Sequence, residues 1–225
     1  MTQSGLDRRT LQEQAFQSLR SRIINGDLLP GTRIVEADES ARLGVSRGTL
    51  REALRELEQQ GLLIRDPRRV VYVRKLTSKE IIDVYGVRGA LEVLAARSIC
   101  EDADPELRLA NSRALRQHAE RLAEAQAVGS AVDEVAADLS FHEKLCELSG
   151  NTILLNQWRQ MAALIRAMLT SGHRRLSAGW SHVPASIPEH HVQIVEALEA
   201  GDFKRVSEIL VTGFKRSSEF LASSS

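Results

Sequence analysis

The chain has 225 residues, 43% of them apolar but only 4% aromatic, and its 30 basic and 30 acidic side chains cancel. Such a composition suits an ordinary soluble core of Leu, Ile, Val and Ala and favours helices over a β-sandwich. Charges interrupt every apolar stretch well short of the roughly 18 residues a membrane span needs, and the opening MTQSGLDRRT lacks the apolar segment of a signal peptide, so a cytoplasmic protein with no membrane partner is expected.

The first element opens at Thr10-Leu11-Gln12-Glu13, where Thr10 and Glu13 form a capping-box pair. Ala15, Phe16, Leu19, Ile23 and Ile24 follow at helical spacing, and Gly26 is placed to end the helix. A turn at Leu29-Pro30-Gly31-Thr32 leads to a short helix from about Glu36 to Leu43, broken by Gly44. Ser46 is the natural cap of the next helix, Arg47 to Gln60, which Gly61 stops. Leu62-Leu63-Ile64 and Val70-Val71-Tyr72-Val73, split by Asp66-Pro67-Arg68-Arg69, read as a β-hairpin. Three helices followed by a hairpin is the order of a winged helix-turn-helix, assigned here to residues 1–76.

A second capping box, Thr77 to Glu80, starts residues 77–225, which read as helical throughout. The expected helices are about Ser78–Glu101, Pro105–Ala127, Val132–Ser149, Thr152–Ser171, Pro188–Ala200 and Asp202–Ala222, with a loop from Gly172 to Ser186. The fold class is therefore mostly α, a winged helix-turn-helix plus a six-helix antiparallel bundle. Cys100 and Cys146 have no CxxC spacing and read as buried small hydrophobes in a reducing compartment.

The densest chemistry lies in Leu43-Gly44-Val45-Ser46-Arg47-Gly48-Thr49-Leu50-Arg51-Glu52-Ala53-Leu54. Leu50, Ala53, Leu54 and Leu57 fall on one helical face and leave Arg47, Thr49 and Arg51 on the other. A recognition helix presents its N-terminal residues to base edges in the major groove, and Arg can bond guanine bidentately. Ser46 and the helix N-terminus offer donors to phosphate, while Arg68 and Arg69 at the wing tip are placed for the minor groove or backbone. Residues 1–76 carry 14 basic against 10 acidic side chains, and the remainder carries 16 against 20. The bland alternative is that Arg47 and Arg51 are a solvated charged face; the preceding glycine turn, the Ser cap and the basic wing argue together against it.

These residues carry a resemblance. LQEQAFQSLRSRIINGDLLPGTRI and LGVSRGTLREALRELEQQGLL resemble the winged-helix domain of GntR-type bacterial regulators over about Leu11 to Val73. Two departures stand out. A Leu-Ala pair is usual where this chain has Glu39-Ser40, so Glu39 either disturbs the packing of its helix or is exposed as a specificity residue. A glycine is usual near Arg68-Arg69, so a different and more basic wing tip is expected. Val87 to Glu92, Asp138 to His142, Ser149-Gly150-Asn151 and the stretch from His191 to Asp202 resemble, in that order, the all-helical (FCD) effector domain of the FadR-type branch.

Asp138 and His142 stand four apart and share a helix face. A carboxylate and an imidazole so placed can bind one divalent metal, with His191 completing a set of two His and one carboxylate. The resemblance implies one Asp and three His, and its last ligand falls at Gly213, which has no side chain. Three readings follow: a metal such as zinc on three protein ligands, with water or effector in the gap; an organic pocket using His142 and His191 as donors; or satisfied core histidines. His190 reads as a solvent-facing neighbour. The resemblance also implies a small carboxylate effector, for which Arg88 and Arg166 are candidate partners, interhelical salt bridges being the alternative for both. Trp158, Met161, Arg97 and Arg159 can be helix packing.

The expected function is that of a non-enzymatic transcriptional repressor: a homodimer on a pseudo-palindromic DNA operator, released by a small-molecule effector. The alternatives are a metal-dependent enzyme with an accessory DNA domain, for which no general-base or nucleophile motif is evident, and a DNA-binding protein without an effector.

Overall fold

A computed structural model describes residues 10–102, 104–176 and 188–223. The chain divides between Lys75 and Leu76 into two compact units. Leu76 goes with the second because its side chain is part of that core.

The first unit begins with α1 (Leu11–Ile24), whose first turn is tied by the Thr10 hydroxyl accepting from the Glu13 amide at 3.2 Å. Its apolar stripe is buried as the spacing predicts. Between α2 (Glu36–Leu43) and α3 (Arg47–Gln59) the chain reverses at Gly44, whose φ of 66° is open to glycine without steric cost. Leu50, Ala53, Leu54 and Leu57 are wholly excluded from solvent on one face of α3.

Three strands make the sheet: β1 (Arg33–Ile34), β2 (Leu63–Arg65) and β3 (Val71–Val73), antiparallel in the order β1-β3-β2. Strand β1 has no counterpart in the sequence reading. Two residues carry no alternation signal, and Arg33 and Ile34 pair only because tertiary folding brings Tyr72 and Val71 beside them. The hairpin strands start one residue later than expected. The Leu62 amide closes the end of α3 by donating to Leu57 O, and the Val70 amide donates to Asp66 Oδ1, so neither joins the ladder.

Glu39 neither disturbs α2 nor stands out as a reader of DNA. Arg22 of α1 grips it with two hydrogen bonds, 2.6 and 3.1 Å, and both side chains are mostly buried. Ser40 beside it is buried, its hydroxyl donating to Ala37 O. The charged residue replaces apolar packing by a bidentate clamp between α1 and α2.

The second unit comprises α4 (Ser78–Cys100), α5 (Pro105–Val128), α6 (Ala131–Leu148), α7 (Thr152–Leu176), α8 (Pro188–Glu199) and α9 (Phe203–Ser223). The Thr77–Glu80 capping box is complete, and Asp104 caps α5 ahead of Pro105. Helix α7 continues five residues past its expected end at Ser171. Gly172 weakens a helix without breaking it, and no proline follows before Leu176 to force a stop. The rest of the expected loop, residues 177–187, lies outside the described residues. Cys146 is buried in the core and Cys100 half-buried, both as free thiols. Burial pushes the Cys100 thiol up to about 11 and that of Cys146 higher still, so both are poor nucleophiles. No described helix is long and apolar enough to cross a membrane.

Charge-assisted hydrogen bonds contribute about 1.5–3 kcal/mol when shielded from water. Glu39→Ala and Arg22→Ala are each expected to lower the stability of the first unit by about 1–3 kcal/mol. In urea unfolding the double variant should lose much less than the sum of the two; additive losses would mean that the clamp carries no coupling energy.

Candidate functional site

Two sites emerge, one in each unit. In the first, Ser46 is the N-cap of α3, its hydroxyl accepting from the Thr49 amide at 3.1 Å and lying 2.8 Å from the Thr49 hydroxyl. The pair fixes the first turn of the helix, from which Arg47 projects into solvent. Arg51, one turn on, is exposed but not unattended: its Nε donates to Glu36 Oε2 at 2.8 Å. Glu36 also lies 3.9 Å from Arg65 on β2, and Arg65 donates to Glu58 Oε1 (2.6 Å) and to Arg69 O (3.1 Å). Glu36, Arg51, Arg55, Glu58, Arg65 and Arg69 line one open bowl beside the exposed face of α3. The sequence reading missed Glu36 and Arg65 here, because residues 15 and 14 positions from Arg51 have no periodic link to it.

At the wing tip Arg68 and Arg69 are exposed. Arg69 has φ 64°, the left-handed region where a Cβ is unfavourable. The turn is closed by Arg69 N to Asp66 O and Asp66 N to Val70 O, at 2.8 and 2.9 Å. An arginine thus occupies a backbone position suited to glycine.

In the second unit Asp138 and His142 on α6 meet His191 on α8, all three buried. Asp138 Oδ1 lies 3.2 Å from His191 Nε2 and 3.7 Å from His142 Nε2, and the two Nε2 atoms are 3.3 Å apart. Ligand atoms around a tetrahedral zinc, with bonds of about 2.0–2.2 Å, stand roughly 3.3 Å from one another. Asp138 Oδ1 is buried and makes no hydrogen bond with proper geometry, although it is aimed at both imidazoles. An orphaned carboxylate oxygen and two converging ring nitrogens fit a divalent cation.

The surroundings orient these groups. Glu92 of α4 accepts from His142 Nδ1 at 2.5 Å, turning Nε2 of that ring toward the cluster. Glu92 also accepts from Arg88 Nε (2.8 Å) and from Trp158 Nε1 on α7 (2.9 Å). Arg88 lies 3.6 Å from Asp138 Oδ2, with its guanidinium 4.6 Å above the Phe214 ring. Burial opposes charge on Asp138, but His142, His191 and Arg88 overcome it and hold the carboxyl well below its ordinary range. Burial likewise opposes charge on His142, and Glu92 and Asp138 outweigh it and raise that pKa.

Gly213 of α9 lines a small cleft with His142, His190, His191 and Phe214, and a Cβ built on it would meet nothing within 4 Å. Among the described residues, a side chain at this position would therefore start into open space. His190 is half-buried at this cleft rather than wholly solvent-facing. Of the two arginines proposed for an effector, Arg88 reaches the cluster. Arg166 is half-buried on α7, eight residues and so about 12 Å of helix beyond Trp158. Trp158 has a polar role as well as a packing one, whereas Arg159 pairs with Glu143 on the surface. Glu92 was legible only as part of a motif; its signal was a second charge four residues from Arg88 on an otherwise apolar helix face.

The family described as "Bacterial regulatory proteins, gntR family" matches residues 11–73, and "FCD domain" matches residues 83–213. The uncharacterized HTH-type transcriptional regulator YdhC of Bacillus subtilis (strain 168) is 30% identical over 209 residues, spanning 92% of this chain and 89% of its own. A relative from Paenarthrobacter nicotinovorans, named a probable D-xylose utilization operon transcriptional repressor, is 29% identical over 202 residues, spanning 89% of this chain and 84% of its own. Among solved structures, a GntR transcriptional regulator from Rhodococcus sp. RHA1 superimposes with a TM-score of 0.77 at 25% identity, over 95% of this chain and 98% of that one. E. coli McbR/YncC has the same fold, with a TM-score of 0.73 at 21% identity, over 96% and 99%.

Relief of a left-handed non-glycine residue is worth on the order of 1 kcal/mol. Arg69→Gly should therefore raise the unfolding midpoint of the first unit while weakening its binding to any DNA. The slope of log affinity against log salt should fall by about one contact. A stability gain with unchanged salt slope would remove Arg69 from the DNA-facing set.

Proposed function

This chain belongs to the gntR family of bacterial regulatory proteins, carries an FCD domain and is a DNA-binding transcriptional regulator; on that premise we propose that its first unit reads an operator and its second senses a small carboxylate beside a divalent metal. Arg47, Thr49 and Arg51 read base edges in the major groove. Ser46 holds the N-terminus of that helix against phosphate, and Arg68 and Arg69 grip the backbone or adjacent minor groove. Glu36 sets the direction of the Arg51 guanidinium, whose terminal nitrogens make no hydrogen bond to protein among the described residues.

The sensor reading rests on one observation: Asp138 Oδ1, His142 Nε2 and His191 Nε2 converge at metal-ligand spacing beside the empty direction at Gly213. These three side chains would hold the ion, which supplies positive charge and an open coordination position to a carboxylate oxygen. Arg88 Nη2, buried without a hydrogen bond, is a second partner for that anion. Glu92 keeps His142 in the tautomer that presents Nε2. Repression relieved by the effector is supported by the relative named as a repressor. By linkage, such an effector binds the operator-bound protein more weakly than the free protein. Two copies on a two-fold operator suit the geometry of a helix-turn-helix.

Loss of a bidentate base contact costs about 1–3 kcal/mol. Arg47→Ala and Arg51→Ala should therefore each weaken operator binding about tenfold or more and flatten base preference in competition assays. Wild-type behaviour in both variants would refute the recognition-helix assignment. On the sensor side, His142→Ala should abolish the thermal shift given by zinc, and Gly213→His, by adding an imidazole in the open direction, should tighten zinc binding in titration calorimetry. A wild-type protein with no thermal shift on adding zinc would refute the metal reading, and unaltered zinc affinity in Gly213→His would mean that the open direction does not face the ion.

A further inference from the structure

At the centre of the exposed face of α3 stands a residue without a side chain. The buried positions Leu50, Ala53, Leu54 and Leu57 define one direction of this helix. At about 100° per residue, Gly48 lies almost opposite to their mean, in line with Glu52, Arg55 and Gln59. All four of these are exposed. In the first turns of the helix Gly48 thus holds the middle of the face, with Arg47 and Arg51 to one side. The surface offered to DNA is bare backbone at its midline.

Nothing in the folded chain calls for a glycine there. The backbone at Gly48 is regular α-helix with no positive φ, so any L-residue fits the conformation. A Cβ built on it would meet Ser46 Oγ at 3.7 Å, an ordinary van der Waals contact. Glycine weakens a helix relative to alanine, so the position destabilises α3 without a compensating contact among the described residues. Glycine is also the residue that lets a backbone come close to a ligand. The neighbouring charges suit such an approach. Glu52, which phosphates would repel, is paired with Arg55 at 2.6 Å, and Arg51 is drawn toward α2 by Glu36 at 2.8 Å.

We propose that Gly48 is a specificity-determining residue, and that its bare Cα receives the C5 methyl group of a thymine in the operator half-site. A position with no side chain has no side-chain donor or acceptor, so it distinguishes bases by shape. In the major groove the base feature read by shape is the thymine methyl. The recess at Gly48 accepts an A·T pair in the orientation that turns this methyl toward the helix, and an added Cβ fills it. Arg47 and Arg51 stand beside the recess, so the base next to the thymine meets a guanidinium, for which guanine is the best partner. The proposal rests on the reading of α3 as the recognition helix, and it names a base feature that this reading leaves open.

The test uses the full chain and an operator obtained by selecting bound duplexes from a random pool. Gly48→Ala should raise the unfolding midpoint by a few degrees, because alanine favours the helix. The same variant should weaken operator binding by at least about tenfold, and by more than it weakens binding to unrelated duplex DNA. Each operator thymine is then replaced in turn by deoxyuridine, which lacks only the methyl. At one position of each half-site this replacement should weaken wild type and restore most of the affinity that Gly48→Ala lost, because the methyl that met the new Cβ is gone. A Gly48→Ala protein that binds the operator as tightly as wild type overturns the proposal, and so does a weakened one that no deoxyuridine rescues. A lowered unfolding midpoint also overturns it, since the glycine then serves the fold. If Arg47→Ala and Arg51→Ala are silent as well, the recognition-helix reading fails with it; if Gly48→Ala alone is silent, that reading stands.

Discussion

A carboxylate buried out of reach of water must be satisfied by protein donors, and much of the helical unit is arranged around one that is. Glu92 takes hydrogen bonds from Arg88 on its own helix, from His142 on α6 and from Trp158 on α7. Leaving such a charge unpaired costs several kcal/mol, so the three donors and the helices bearing them are held in one register. The consequence reaches the cluster itself. With Nδ1 of His142 engaged by Glu92, Nε2 is turned to Asp138 and His191, and Arg88 is left spanning Glu92 and Asp138. Aromatic rings close the site: Phe141 stands edge-on to both imidazoles, and Phe214 lies under Arg88. In so dry a place the attraction between unlike charges is strong enough to keep Asp138 and Glu92 ionised.

In the first unit, electrostatics does different work. The bowl beside α3 gathers four arginines against two glutamates, and the glutamates hold Arg51 and Arg65 without neutralising the surface. Exposed pairs of this kind contribute little stability; their effect is to preset the direction of a long flexible side chain before a partner arrives. The Arg22–Glu39 clamp is the mostly buried counterpart, closed by two hydrogen bonds and largely shielded from water. Arg69 is the reverse case, a strained left-handed backbone at an exposed tip with no ion pair to hold it among the described residues.

The amino-acid sequence by itself determined the elements and their order. Capping residues at Thr10, Ser46, Thr77 and Asp104, glycines at helix ends, and apolar spacing are local signals, read within a few residues of where they act. They were enough for the winged unit, the helical unit, the exposed face of α3 and the Asp138–His142 pair four residues apart. What only the tertiary structure decided were pairings between positions far apart in the chain: β1 against β3, Glu36 with Arg51, Arg22 with Glu39, and above all Glu92 with His142 and Trp158, 50 and 66 residues away. No periodicity connects such residues. They meet because the helices carrying them bury their apolar faces together, and a polar group swept into that core must find whichever donor the packing brings within reach.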